Sequence, residues 1–406
     1  MIPRREMKEK SVPFQADESK LERFPVTRQA FVTVSYKDTG KLGYNLFMEK
    51  MFKNLGRYLM TNREGFDRDL AARDMGANAL NLVLGNYGFP NHAMLSWSSL
   101  VVPPFLSEDK AKKTPGQFTA DVKQAAKLYG ADLVGIAPID ERWLFSSDME
   151  KPYVVKDIEK PKESEEAFEI PKSFRFAIVL AVSMDAEKIE TSPDLPASVA
   201  TSAGYSRMAI GAVSLAEYIR ALGYQAIPAM NDTALSIPLA VEAGLGELGR
   251  MGILITPEFG PNVRLYKVLT DLPLLRDHPI DFGVEAFCNN CLLCAQSCPS
   301  GAISSGEQTY EGTTDNNNPG VKKWYIESEK CLRFWQVNGA SCANCIAVCP
   351  FTKGFDSMQC FECTQCDTTN GCELQVNTYF RKKYGYLEDT PWGTASKVIP
   401  RPRVGL

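Results

Sequence analysis

Eight cysteines carry the clearest chemistry in this chain. Cys288, Cys291, Cys294 and Cys298 form a C-x2-C-x2-C-x3-C run closed by Pro299, and Cys331, Cys342, Cys345 and Cys349 form a C-x10-C-x2-C-x3-C run closed by Pro350. Thiolates at this spacing hold 4Fe-4S clusters. Three of them wrap one cube, and the fourth, beside the proline, reaches across to the other cube. That rule pairs Cys288, Cys291 and Cys294 with Cys349 around cluster one. It pairs Cys298 with Cys331, Cys342 and Cys345 around cluster two. Zinc knuckles lack the paired Cys-Pro endings. Two cubes in one module make a relay for electrons. A third group, Cys360, Cys363, Cys366 and Cys372, has no Cys-Pro ending. Zinc, another cluster, disulfides or local structure all remain open for it.

The rest of the composition bounds what the relay serves. All 12 cysteines lie between Cys288 and Cys372, so the first 287 residues form a cysteine-free partner to the cluster module. Two histidines, His92 and His278, cannot build a three-histidine metal site. With 406 residues, 44% hydrophobic and 23% charged, the chain reads as two or three globular domains rather than a disordered protein. Net charge is 45 − 49 = −4 and the sequence pI about 5.6, which speaks against a nucleic-acid partner. No stretch of about 18 uninterrupted apolar residues offers a membrane span. The pair Arg4-Arg5 is followed by charged residues instead of an apolar segment, so we expect no intact twin-arginine signal in this chain.

The elements that must position a site can be read by period. Phe118, Val122, Ala125, Ala126 and Tyr129 predict a helix over 119–129, capped by Gly130. Asp132–Ala137 and Phe174–Val182 predict buried strands. Tyr205, Met208, Ala212, Leu215, Ile219 and Leu222 predict a helix ending at Gly223. A short strand over 225–228, a glycine-rich segment over 240–252 and a strand over 263–269 follow. Residues 77–84 read as a strand or a helix end. The charged, proline-interrupted residues 150–172 read as a surface connection. The fold class is α/β or α+β.

Several segments together resemble the catalytic subunit of respiratory reductive dehalogenases, corrinoid and iron–sulfur enzymes related to epoxyqueuosine reductase. These are Ala125–Asp140 with Arg142-Trp143, Ala243–Gly249, Pro257–Arg264, Pro279–Gly283 and both cysteine runs, within about residues 120–355. The resemblance implies a nitroreductase-like core that binds cobalamin, with a bacterial ferredoxin-like two-cluster module beside it. It divides the chain into a region 1–165 contributing to the corrinoid and substrate pocket, a core 166–283, a cluster module 284–355 and a tail 356–406. It implies cobalamin bound base-off, in keeping with the scarcity of histidine. Gly244, Gly246, Gly249 and Gly252 would let bare backbone approach the corrin, with Met208 also against it.

The implied reaction replaces carbon–halogen by carbon–hydrogen. The resemblance maps the proton donor onto Tyr205 and its supporters onto Asn231 and Arg264. A tyrosine is protonated at neutral pH, and an arginine is a permanent cation to meet a phenolate. Thr201, four residues before Tyr205, shares its helix face. Trp335, Trp97, Tyr87 and Phe89 are expected to wall an aromatic pocket for a small organohalide. The family further implies export to the outer face of the cytoplasmic membrane, a small membrane-anchor protein and an upstream donor, quinone-linked or ferredoxin-like. An oligomer stays open. Two other readings compete. An epoxyqueuosine reductase-like enzyme should show an Asp-Tyr-His context where this chain has Gly204-Tyr205-Ser206, and a plain ferredoxin-type carrier leaves the cysteine-free domain unexplained.

Overall fold

The computed structural model describes residues 8–10, 12–40, 44–84 and 96–352. Four strands lie side by side at its centre: Leu133–Pro138, Phe176–Ser183, Val263–Thr270 and Ala226–Ala229, each antiparallel to its neighbour. Phe176–Ser183 is apolar without interruption because both of its faces are covered. Ala177, Val179 and Ala181 face one core with Trp143, Phe145 and Leu239. Ile178, Leu180 and Val182 face a second core with Val122, Met208 and Leu215. Period two thus feeds two layers from one strand. The boundary expected at 165/166 cuts this sheet, since Leu133–Pro138 is one of its strands and lies upstream of it.

A helix over Pro115–Leu128 covers one face and starts on a Thr114–Gln117 capping box. The dominant helix runs over Leu195–Ala221 and begins ten residues before the apolar stripe that predicted it. Its first turns, mostly of small residues, are covered by a helix over Arg68–Leu84 on one side and by Met184, Ile189, Ala343, Ile346 and Ala347 on another, so no one-sided stripe exists there to be read. A polar seam joins the two helices. Asp74 accepts from Ser198 Oγ at 3.2 Å and Ser202 Oγ at 2.7 Å, and Ser206 Oγ donates to the Ala77 carbonyl at 2.6 Å. Burial pushes the Asp74 carboxyl up, and the two serines oppose it.

Residues 77–84 are therefore the end of a helix. Residues 150–172 form a small three-stranded sheet of Tyr153–Lys156, Phe168–Pro171 and Lys162–Glu163, instead of a surface connection. Tyr153 and Phe168 stack at 5.1 Å between centroids and both pack on Trp97. Tyr153 and residues 167–171 are buried, while Lys162 and Glu163 stay exposed.

The glycines after the sheet have a packing role. A Cβ on Gly244 would sit 2.2 Å from the His278 carbonyl oxygen, and one on Gly246 would sit 2.1 Å from that of Ile255. One on Gly249 would meet Ile255 Cδ1 at 2.5 Å. Bare backbone at these three positions admits other parts of this chain, and that close approach is what requires glycine there. Gly246→Ala is expected to cost about 1–3 kcal/mol by overpacking and to lower the thermal unfolding midpoint. Gly56→Ala, whose added Cβ meets nothing within 4 Å, should be neutral or slightly stabilising. Equal midpoints for the two variants would overturn the packing assignment.

The cluster module packs against this core. It contains helices over Val284–Asn290, Leu293–Gln296, Ser328–Asn338 and Asn344–Ala347. Met251, Ile255 and Phe282 bury themselves with Cys288, Cys294 and Cys349. Met184, Ile189 and Ala200 do so with Ala343, Ile346 and Ala347.

Candidate functional site

Tyr205, Asn231, Arg264 and Thr201 come from three different elements and meet at one place. The long helix carries Thr201 and Tyr205 one turn apart. Arg264 projects from the strand Val263–Thr270, with its guanidinium carbon 5.0 Å from the Tyr205 ring centroid. Its Nη2 lies 3.5 Å from Thr201 Oγ1 and its Nε lies 3.3 Å from Met184 Sδ. Gly204 makes this approach possible, because a Cβ there would stand 3.1 Å from Arg264 Cγ. Asn231 Nδ2 is 3.5 Å from the Tyr205 hydroxyl. The result is a phenol with a cation over its ring and an amide at its oxygen. A phenolate formed there is stabilised by the adjacent positive charge.

The loop that presents Asn231 is pinned from beneath. Lys267 is fully buried, and its Nζ donates to the Met230 carbonyl at 2.7 Å and to Ser236 Oγ at 3.0 Å. Burial draws the Lys267 pKa down to about 8, with Asp232 opposing. Asp232 Oδ1 in turn accepts from the Met230 amide at 2.7 Å. Neither Lys267 nor Met184 and Gly204 stood out in the sequence, since no spacing rule links a strand lysine to a loop forty residues earlier.

Asn231 also lines a cavity of about 380 Å³ between the core and the cluster module. Phe14, Phe24, Trp143, Phe145, Trp324 and Tyr325 give it aromatic walls. The Trp143 and Trp324 indole N–H groups and the Asn318 amide oxygen are buried without a hydrogen-bond partner among the described residues. Such groups are costly unless a ligand meets them. Large apolar walls with a few unmet polar groups suit one edge of a bulky ring system bearing amides, such as a corrinoid, whose whole volume exceeds that of this cavity. Gly252, with φ of +74°, also faces this cavity.

The eight cysteine sulfurs separate into two groups by their mutual electrostatics. Cys288, Cys291, Cys294 and Cys349 interact with one another, while Cys298, Cys331, Cys342 and Cys345 form the second group. One repulsion, between Cys294 and Cys345, crosses from one group to the other. Each group takes one cysteine from the other run. Burial first, and neighbouring sulfurs second, push the Cys291 and Cys331 thiols up to about 12 and raise Cys294, Cys345 and Cys349 well above the ordinary range. Buried thiolates that repel one another need a cationic core between them, so the donor set fits two iron–sulfur clusters. Among the described residues no three His, Cys, Asp or Glu side chains converge on a single metal ion. The Ala302 amide reaches Cys298 Sγ at 3.3 Å. Arg250, 2% exposed, donates to the carbonyls of Cys288 and Ser304 at 3.0 Å each and of Gly306 at 2.9 Å. Its charge opposes the upward push on Cys288 and Cys291.

Three expected site residues belong elsewhere. Met208 is 1% exposed and packs in the core against the sheet, where it supports the long helix. Trp97 is sealed in the core against Tyr153 and Phe168. Trp335 packs on Phe31 at 6.0 Å and sits beside Cys331, where its indole opposes the rise in the thiol pKa. It is tied to cluster two and not to the Tyr205 constellation. Both tryptophans had the right residue type, but hydrophobicity does not say which surface covers them. Tyr87, Phe89 and the Cys360–Cys372 group lie outside the described residues.

Comparison with known proteins adds independent findings. Residues 130–274 match the family model of the reductive dehalogenase subunit, and residues 287–353 match that of the 4Fe-4S dicluster domain. The tetrachloroethene reductive dehalogenase of Sulfurospirillum multivorans is 42% identical over 295 residues, covering 66% of this chain and 59% of that one. The same-named enzyme of Desulfitobacterium hafniense is 41% identical over 281 residues, covering 61% and 49%. A solved reductive dehalogenase structure, described as suggesting a mechanism for B12-dependent dehalogenation, superposes with a TM-score of 0.64 at 24% identity. That match covers 86% of this chain and 44% of the other. The chain spans about half the length of the relatives it matches.

Proposed function

We propose, from the premise that residues 130–274 of this chain are a reductive dehalogenase subunit domain, that the protein replaces the halogen of a small organohalide by hydrogen. The reaction consumes two electrons and one proton and releases halide: R–X + 2e⁻ + H⁺ gives R–H + X⁻. A base-off corrinoid held by the aromatic cavity would supply the electron-rich metal that breaks the carbon–halogen bond. The two cysteine groups would hold the 4Fe-4S clusters that relay the electrons.

This chain's own residues do the rest. Tyr205 donates the proton from its hydroxyl. Arg264, over its ring, stabilises the phenolate left behind, and Asn231 orients the hydroxyl from the cavity side. Thr201 and Met184 hold the guanidinium in place. The aromatic walls exclude water and favour an apolar substrate. The single observation that carries this reading is the meeting of Tyr205, Asn231 and Arg264, with Asn231 also lining the aromatic cavity. By the same family resemblance, the mature protein works on the outer face of the membrane beside a small anchor protein and takes electrons from a quinone-linked or ferredoxin-like donor.

The test is the metal content of protein reconstituted without oxygen in the presence of corrinoid, followed by halide release from small halocarbons. About one cobalt and about eight irons per chain, with halide released, is the expected result. Iron without cobalt, and no halide, would leave an electron carrier and overturn the proposal.

A further inference from the structure

Lys323 is a lysine in the wall of the aromatic cavity with no acid to pair with among the described residues. It sits on the segment between the two cysteine runs, next to Trp324 and Tyr325, and its Nζ lies 4.7 Å from the Tyr325 ring centroid. No ion pair joins it to any carboxylate among the described residues, and its only shift comes from burial, which lowers its pKa to about 8. The surrounding polar groups are also unmet: the two indole N–H donors and the Asn318 oxygen. An ammonium held in such a place without a counter-charge is costly by itself and is satisfied when an anion enters.

We propose that Lys323 is the anion-binding residue of this cavity and takes the phosphodiester of the bound corrinoid's nucleotide tail. This deepens the corrinoid reading above and rests on it. The macrocycle's amide side chains are neutral, so the one phosphate of the tail is the group whose charge complements Lys323.

The experiment compares two corrinoids on cluster-loaded protein: cobalamin, and cobinamide, which has the same ring but lacks the nucleotide and its phosphate. Binding is read by equilibrium titration of intrinsic tryptophan fluorescence, with no turnover required. Lys323→Met is expected to weaken cobalamin about 10- to 100-fold, the worth of a charge-assisted contact, while cobinamide binding stays within about twofold. Lys323→Arg should restore most of the cobalamin affinity. Iron content equal to that of the parent protein shows that the variants are folded. Equal weakening of both corrinoids, or of neither, overturns the role of Lys323 and leaves the corrinoid reading standing. Failure of the parent protein to bind either corrinoid overturns both.

Discussion

Tyr205→Phe is expected to lower halide release about 10²- to 10⁴-fold while leaving cobalt and iron content at the parent level. The ring, its packing and the contact with Arg264 at 5.0 Å survive the change, and only the hydroxyl is removed. The loss should therefore fall on turnover and spare substrate binding. A pairing with Arg264→Met sharpens the test. If the cation acts by stabilising the phenolate, the two single losses should not add, because removing the phenol leaves nothing for the cation to stabilise. Unchanged turnover in Tyr205→Phe would remove the proton-donor role and direct attention to water at Asn231. Additive losses would mean that Arg264 acts independently of Tyr205.

Cys298→Ser should abolish the cluster that belongs mainly to the other cysteine run. Cys298 stands in the first run, yet its electrostatic partners are Cys331, Cys342 and Cys345 of the second. Iron should fall from about eight to about four per chain, since each cube contains four irons. The spectrum of the surviving cluster should match that of Cys342→Ser and differ from that of Cys291→Ser. Turnover should drop to background because the relay is cut. A Cys298→Ser spectrum matching Cys291→Ser would mean that each run closes on its own cube, and would refute the crosswise grouping.

Much of this was legible because covalent spacing and period are properties of sequence. Two C-P-terminated cysteine runs announce two clusters, and the crossing of their fourth ligands follows from chain geometry over a few residues. Phe176–Ser183 declares itself by unbroken hydrophobicity, and the end of the long helix by Gly223, whose φ of +84° needs a residue without a Cβ. The start of that helix was hidden because the stretch 195–204 is covered on two sides and its serines are spent on a buried seam with Asp74, so no exposed polar face sets off an apolar stripe.

Tertiary structure alone decided which residues meet. Tyr205, Asn231 and Arg264 are 26 and 33 residues apart along the chain. Resemblance, and not any pattern in the residues, joined them until the strand laid Arg264 over the ring across Gly204. Trp97, Trp335 and Trp143 look alike as letters. One is sealed in the core, one lies beside Cys331, and one lines the cavity. Gly244 and Gly246 admit the chain's own carbonyls and Gly249 the side chain of Ile255, partners that no local spacing discloses. Sequence determines local conformation and the donors that are available, because those depend on neighbours a few bonds away. Which side chains share a cavity, and whether a charge such as that of Lys323 stands without a partner, depends on segments brought together from across the chain, and packing alone fixes that.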